Sequence, residues 1–70
     1  MMPLLLCDTG EELVIKRISG TPEVKKHLED LGFVAGGPVT VISRLGGNMI
    51  VKVKETRVAI NEDLARKIMI

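Results

Sequence analysis

The stretch that decides the fold is residues 39–54, VTVISRLGGNMIVKVK, in which two alternating runs surround a pair of glycines. The first run is expected to place Val39, Val41 and Ser43 on one face of a sheet and Thr40, Ile42 and Arg44 on the other. Beyond Gly46-Gly47, Met49, Val51 and Val53 alternate in the same way with Ile50, Lys52 and Lys54. A period of two on both sides of a two-glycine turn predicts a β-hairpin.

The segment after the hairpin predicts one more strand, a helical turn and a closing strand. The polar pair Glu55-Thr56 suits a turn, and the next strand is expected from Arg57 to Ile60. Asn61 suits the N-cap of a short helical turn, because acidic residues follow it and basic residues end the turn, as the helix dipole favours. Ile68 to Ile70 supply a final short strand.

The segment before the hairpin predicts the one substantial α-helix, over residues 22–31. Thr21 suits the N-cap, and Pro22 suits the first helical position, where its missing N–H is not needed. An apolar stripe at helical spacing follows, made of Val24, Leu28 and Leu31. Gly32 suits the left-handed residue that ends a helix.

A first strand is expected from Glu11 to Ile18, after the turn residues Asp8-Thr9-Gly10. Its alternation is imperfect, because Leu13 and Ile15 share one face whereas Ile18 falls on the other. This pattern predicts a bulge or a sharp twist near Lys16-Arg17.

Length and composition favour a small barrel. Seventy residues suit one domain, residues 1–70, and eight valines, seven isoleucines and four threonines favour strands. We therefore predict a mainly β fold, an SH3-like barrel of about five short strands with one inserted helix and a short C-terminal helical turn.

The net charge, the cysteine count and the length of the apolar runs indicate in which cellular compartment the protein resides. The net charge of +1 provides no overall field for a polyanion, and the single cysteine, Cys7, suits a reducing cytosol. The longest apolar run, Leu4 to Cys7, is far shorter than a membrane span. We expect a cytoplasmic protein that is not embedded in the membrane.

No catalytic set or dedicated metal site is expected. Cys7 and the single histidine, His27, are not joined by a catalytic motif, and zinc-ligand spacings such as C-x₂-C are missing. We therefore expect no enzyme activity and no cofactor. A weaker alternative is ferrous or zinc sensing, in which His27 acts with Glu23, or with Glu29 and Asp30.

Nucleic-acid binding is an alternative from another class. Between Pro38 and Ile60 four basic residues outnumber one acidic residue; they are Arg44, Lys52, Lys54 and Arg57, against Glu55. Single-strand binders usually stack bases on aromatic side chains, and Phe33 is the only aromatic residue. The lysines also suit an exposed strand face that resists aggregation.

Residues 27–36, HLEDLGFVAG, resemble the hallmark of the FeoA family, in which a helix ends in Leu-Gly before a further glycine and a valine-rich strand. Gly10, Ile15 to Gly20, Gly46-Gly47 and Arg57 to Ile60 agree with the rest of the family pattern in order and spacing. The resemblance implies a non-enzymatic cytosolic SH3-like barrel that serves ferrous iron transport beside a membrane GTPase permease of the FeoB type. The same fold resembles the C-terminal domain of iron-dependent repressors, so an iron-responsive regulatory module is a further alternative.

These observations together favour an interaction module, whose surface modulates the permease by protein contact. Two candidate partner-binding surfaces follow. The first is the helix face with Lys25, Lys26, Glu29 and Asp30, and the second is the hairpin with Arg44, Gly46, Gly47 and Asn48. The exposed hairpin and the apolar C-terminus also suit weak self-association.

Overall fold

Strand pairing arranges the chain into two antiparallel sheets, as seen in a computed structural model that describes residues 1–70. The six strands are β1 (Glu12–Val14), β2 (Arg17–Ile18), β3 (Pro38–Leu45), β4 (Asn48–Val53), β5 (Thr56–Asn61) and β6 (Ile68–Met69). The two α-helices are α1 (Pro22–Leu31) and α2 (Glu62–Lys67), and a 3₁₀ helix spans Leu4–Leu6.

One sheet has the order β1-β3-β4-β5, and the other pairs β2 with β6. Met2 extends the second sheet, because it exchanges two backbone hydrogen bonds with Ile70. One core lies between the sheets, built from Leu4, Cys7, Ile15, Leu28, Phe33, Val39, Val41, Met49, Val51, Val53, Ile60, Ala65 and Ile68. The mainly β architecture with an inserted helix is the one that the sequence predicts.

Helix α1 has the predicted bounds, because both of its ends are capped. The Thr21 hydroxyl accepts a hydrogen bond from the Val24 N–H at 3.2 Å, and Pro22 occupies the first turn. Gly32 adopts φ 109°, a left-handed conformation that glycine tolerates best, and its N–H bonds back to the last turn. Leu28 is fully buried and anchors the helix to the core.

The single strand expected from Glu11 to Ile18 is wrong, because the chain changes sheets in the middle of it. The Ile15 N–H donates to the Gly37 carbonyl oxygen at 2.9 Å, and the Ile15 carbonyl oxygen accepts from the Gly36 N–H at 2.7 Å. The next residue, Lys16, donates to the Met69 carbonyl oxygen. The predicted twist is therefore a break between β1 and β2, which accounts for six strands where about five were expected.

The predicted hairpin is present as β3 and β4, but a β-bulge changes which β3 side chains lie on each face of the sheet. Val41 lies opposite Val51, whereas Ser43 lies opposite Ile50, so Ile42 is an extra residue on β3. The shift places Arg44 directly opposite Met49, which is buried.

Residues directly opposite each other share a face of the sheet, so the bulge has turned Arg44 to the core side. The expectation that Arg44 shares a face of the sheet with Thr40 and Ile42 is therefore wrong.

The C-terminal segment follows its predicted order. The Asn61 side chain caps α2 by accepting from the Leu64 N–H at 2.8 Å, and β6 closes the second sheet against β2. Lys54 and Glu55 form the turn between β4 and β5 with φ of 49° and 62°. Neither helix has the length and apolar character that crossing a membrane requires.

Candidate functional site

Arg44 ties the hairpin to the N-terminal 3₁₀ helix. Its Nη2 donates to the Leu5 carbonyl oxygen at 2.8 Å and to the Cys7 carbonyl oxygen. These two carbonyls flank Leu6 in the chain. The bulge in β3 makes this contact possible, because it brings the Arg44 side chain to the face of Met49.

Two exposed leucines are chain neighbours of the residues that make this contact, since Leu6 lies between Leu5 and Cys7 and Leu45 follows Arg44. Leu45, which follows Arg44, is 76% exposed, and Leu6 is 64% exposed. We call these two residues, with Arg44 and the turn residues Gly46, Gly47 and Asn48, the hairpin surface. Leu6 and Leu45 are candidate residues that the sequence does not single out, and the only signal is that Leu45 directly precedes Gly46-Gly47 at the hairpin turn.

The tip of the hairpin is also held from the other side. The Glu62 N–H donates to the Gly47 carbonyl oxygen at 3.2 Å, and Asn48 lies opposite Asn61 in the β4–β5 ladder. The hairpin surface is therefore supported by both the 3₁₀ helix and the start of α2.

The second predicted surface, the exposed face of α1, is a solvated set of charges. Lys25, Lys26, Glu29 and Asp30 are all exposed, and the Lys26 Nζ lies 3.8 Å from an Asp30 carboxylate oxygen. An exposed pair of this kind contributes at most about 1 kcal/mol to stability. The charges on this face balance.

The structure does not bring the two predicted surfaces together. Gly32, at the end of α1, packs beside Val53 and Lys54, because a Cβ at Gly32 would lie 3.5 Å from side-chain atoms of both. The hairpin surface begins at Asn48, at the opposite end of β4. A strand of this length spans roughly 17–20 Å, so one small ligand cannot contact both surfaces.

The fold does not gather the residues considered for metal or nucleophilic chemistry into one cluster. His27 is exposed on α1, and no group of three His, Cys, Asp or Glu side chains comes together to hold a metal ion. Cys7 is buried, and this burial raises the pKa of its thiol, while the Arg44 charge opposes the shift. The Cys7 Sγ lies 3.6 Å from the Pro3 carbonyl oxygen, so its contacts are structural.

The four basic residues weighed for nucleic-acid binding do not form one surface. Lys52 and Arg57 lie directly opposite each other on the outer face of the sheet, but Arg44 faces the other side. Lys52 also lies 3.8 Å from Glu55. Phe33 is fully buried in the core and offers no ring for base stacking.

A bent four-stranded antiparallel sheet, closed by a short terminal strand pair and carrying one inserted helix, defines the class of small SH3-like barrels. Within that class, the model of the FeoA domain matches residues 2–70, and the chain belongs to the FeoA family. A relative from Methanocaldococcus jannaschii carries the name Fe(2+) transport protein A. It is 33% identical to this chain over 70 residues, which cover 100% of this chain and 85% of the relative.

Solved structures with the same fold include family members and a regulator. A zinc complex of FeoA from Stenotrophomonas maltophilia, described as a prokaryotic SH3 domain protein, superposes with a TM-score of 0.84 at 23% identity and covers 99% of this chain and 88% of that chain. A manganese-dependent transcriptional repressor superposes with a TM-score of 0.84 at 22% identity and covers 94% of this chain and 38% of that chain. The likeness to the repressor is one of fold.

Proposed function

We propose that this FeoA-family chain is a cytosolic accessory protein of ferrous iron transport that binds the cytosolic part of a FeoB-type membrane GTPase permease and modulates it by protein contact. Family membership and the Fe(2+) transport name of the relative from M. jannaschii support the transport role. The observation that supports contact with a protein is the pair of exposed leucines on the hairpin surface.

Leu6 and Leu45 are the strongest apolar candidates for an interface. Full burial of a leucine side chain against a partner contributes about 1.5–3 kcal/mol to the free energy of binding. A leucine that is exposed in the free protein can gain this stabilisation only when the complex forms. Arg44 fixes the backbone on both sides of Leu6 and also lies next to Leu45. A surface that is already rigid loses less conformational entropy when it binds.

The α1 face is the second candidate contact, and the structure favours it less. Its charges of both signs are solvated, and Lys26 is paired with Asp30 within the helix. A partner would have to desolvate these charges and would gain little apolar burial. We therefore place the main contact on the hairpin surface.

Affinity capture tests the proposal directly. The purified GTPase domain of the permease from the same genome is immobilised without nucleotide, with GDP and with a GTP analogue, and this chain is passed over it. We expect retention in at least one nucleotide state and a change in the GTP hydrolysis rate when the chain is added. Failure of retention in all three states would overturn the proposal, and retention with an unchanged rate would overturn the modulation of GTP hydrolysis.

A further inference from the structure

Strand β5 leaves one edge of the four-stranded sheet unpaired. It pairs with β4 in unbroken register, from Asn48 opposite Asn61 to Val53 opposite Thr56, and no strand lies on its other side. Sheet edges are usually blunted by proline, by a bulge, by several charged side chains or by a very short strand, and β5 has one charged residue, Arg57. The β5 sequence TRVAIN has no proline, no bulge and six paired residues.

The hydrogen-bond pattern between β4 and β5 determines which backbone groups of β5 point toward the free edge. The Glu62 N–H donates to the Gly47 carbonyl oxygen, which fixes the alternation of hydrogen-bonded pairs along β4 and β5. By that alternation Thr56, Val58 and Ile60 bond to β4. The N–H and C=O groups of Arg57 and Ala59 therefore point away from the sheet.

No turn, loop or cap hydrogen bond uses the backbone of these two residues.

The side chains at the edge indicate what kind of strand would fit. Arg57 lies directly opposite Lys52, and like charges in this position destabilise a sheet. Arg57 makes no ion pair and no side-chain hydrogen bond within the chain. Two residues later, the small Ala59 lies opposite Ile50, which is half-buried.

We propose that the free edge of β5 binds an extended acidic segment of a protein partner, which adds to the sheet as an antiparallel fifth strand. The backbone of this segment hydrogen-bonds to Arg57 and Ala59. From its N-terminus to its C-terminus, three successive side chains are apolar, of any type, and acidic. The carboxylate lies beside Arg57 and the apolar side chain lies beside Ala59, because paired strands run in opposite directions.

This inference rests on the proposed function in that the segment is taken to come from the permease. Two observations favour such a partner over a second copy of this chain. Strand β5 contains no acidic residue, so pairing of two β5 strands would leave Arg57 without a carboxylate. The edge also ends at Asn61, opposite Asn48, and is therefore continuous with the hairpin surface.

Titration with short peptides, followed by the amide NMR signals of the labelled full chain, tests the edge itself. The probe is a capped nine-residue peptide of serine and threonine with isoleucine, threonine and glutamate in succession at its centre. A matched peptide has lysine in place of the glutamate. We expect the glutamate peptide to shift the β5 signals, to slow hydrogen exchange at Arg57 and Ala59, and to bind about tenfold more tightly than the lysine peptide.

Two variants of the chain make the test specific. Ala59→Pro removes an outward N–H without removing a bond to β4, so it should fold and lose binding of the glutamate peptide. Arg57→Glu places an acidic residue opposite Lys52, which favours folding, and should reverse the preference toward the lysine peptide. Unchanged β5 signals at millimolar peptide, or equal binding of both peptides, would overturn the inference.

Different experimental results would contradict the proposed function and this inference. If the permease GTPase domain retains the wild-type chain and Ala59→Pro equally well, the edge inference is wrong and the proposed function stands. If the glutamate peptide binds at β5 but no nucleotide state of the GTPase domain retains the chain, the edge inference stands and the proposed partner is wrong.

Discussion

The guanidinium of Arg44 donates a hydrogen bond to the backbone carbonyl oxygen of Cys7, which connects residues 37 positions apart in the chain. A second bond from the same nitrogen reaches the Leu5 carbonyl oxygen at 2.8 Å. A basic residue that composition alone would assign to a binding surface therefore supports the N-terminal segment that carries Leu6.

Replacing Arg44 should destabilise the fold. Arg44→Met keeps much of the side-chain length and removes both charge-assisted bonds, so we expect a loss of about 1–2 kcal/mol in the free energy of unfolding. Lys52→Met is the matched control, because it removes an exposed charge whose pair with Glu55 contributes little. Urea unfolding measures both variants, and equal losses would contradict the structural role of Arg44.

The thiol of Cys7 should be protected in the native chain. Burial hides its Sγ and raises its pKa, so little reactive thiolate is present at pH 8. We expect iodoacetamide to react slowly with the native wild type and at the rate of an ordinary thiol in urea. Arg44→Met should react faster than the native wild type because Cys7 becomes more exposed, even though loss of the Arg44 charge raises the pKa of the thiol further. Mass spectrometry follows the reaction. Equal rate constants in native wild type and Arg44→Met, each corrected for the thiolate fraction at the assay pH, would show that Arg44 does not hold the segment over Cys7.

Glycine at position 55 should stabilise the β4–β5 turn. Glu55 has φ 62°, where a side chain costs about 1 kcal/mol relative to glycine, so Glu55→Gly should raise the free energy of unfolding by about that amount. Glu55→Ala is the control, since it removes the same carboxylate and keeps the backbone cost. A stability of Glu55→Gly no higher than that of Glu55→Ala would refute the prediction.

Oligonucleotides should not bind in a salt-dependent manner at micromolar concentration. Arg44 faces away from Lys52 and Arg57, and the only aromatic ring is buried. Fluorescence anisotropy with single-stranded and duplex DNA at low and moderate salt measures this. An affinity that falls steeply with added salt would instead favour the alternative of a nucleic-acid-binding barrel.

The sequence predicts best those elements whose ends are specified locally. Thr21, Pro22 and Gly32 each bear a conformational preference that needs no tertiary contact, and α1 has the predicted bounds. The glycines of the hairpin and the Asn61 cap act in the same local way. These features are properties of a few adjacent residues, which is why a single sequence suffices for them.

The features that the sequence does not predict depend on distant partners. The break after Val14 arises because the Gly36-Gly37 loop takes both backbone groups of Ile15. The bulge at Ile42 leaves the apolar alternation intact up to Val41 and then reverses it, so the facing of Arg44 depends on its register with β4. The exposure of Leu45 follows from the same reversal. The exposure of Leu6 is not predictable from the sequence, because Leu6 lies within an apolar run whose members are expected to be buried.

The most direct test of the central claim is the dissociation constant between this chain and the permease GTPase domain, compared among wild type, Leu45→Asn and Val14→Asn. Val14 is the matched control, because it is an apolar residue 56% exposed on β1, opposite Pro38 and away from the hairpin tip. Binding through the hairpin surface predicts a complex that Leu45→Asn weakens about tenfold or more and Val14→Asn leaves unchanged. No measurable complex with the wild type, or equal affinities for all three proteins, would contradict it.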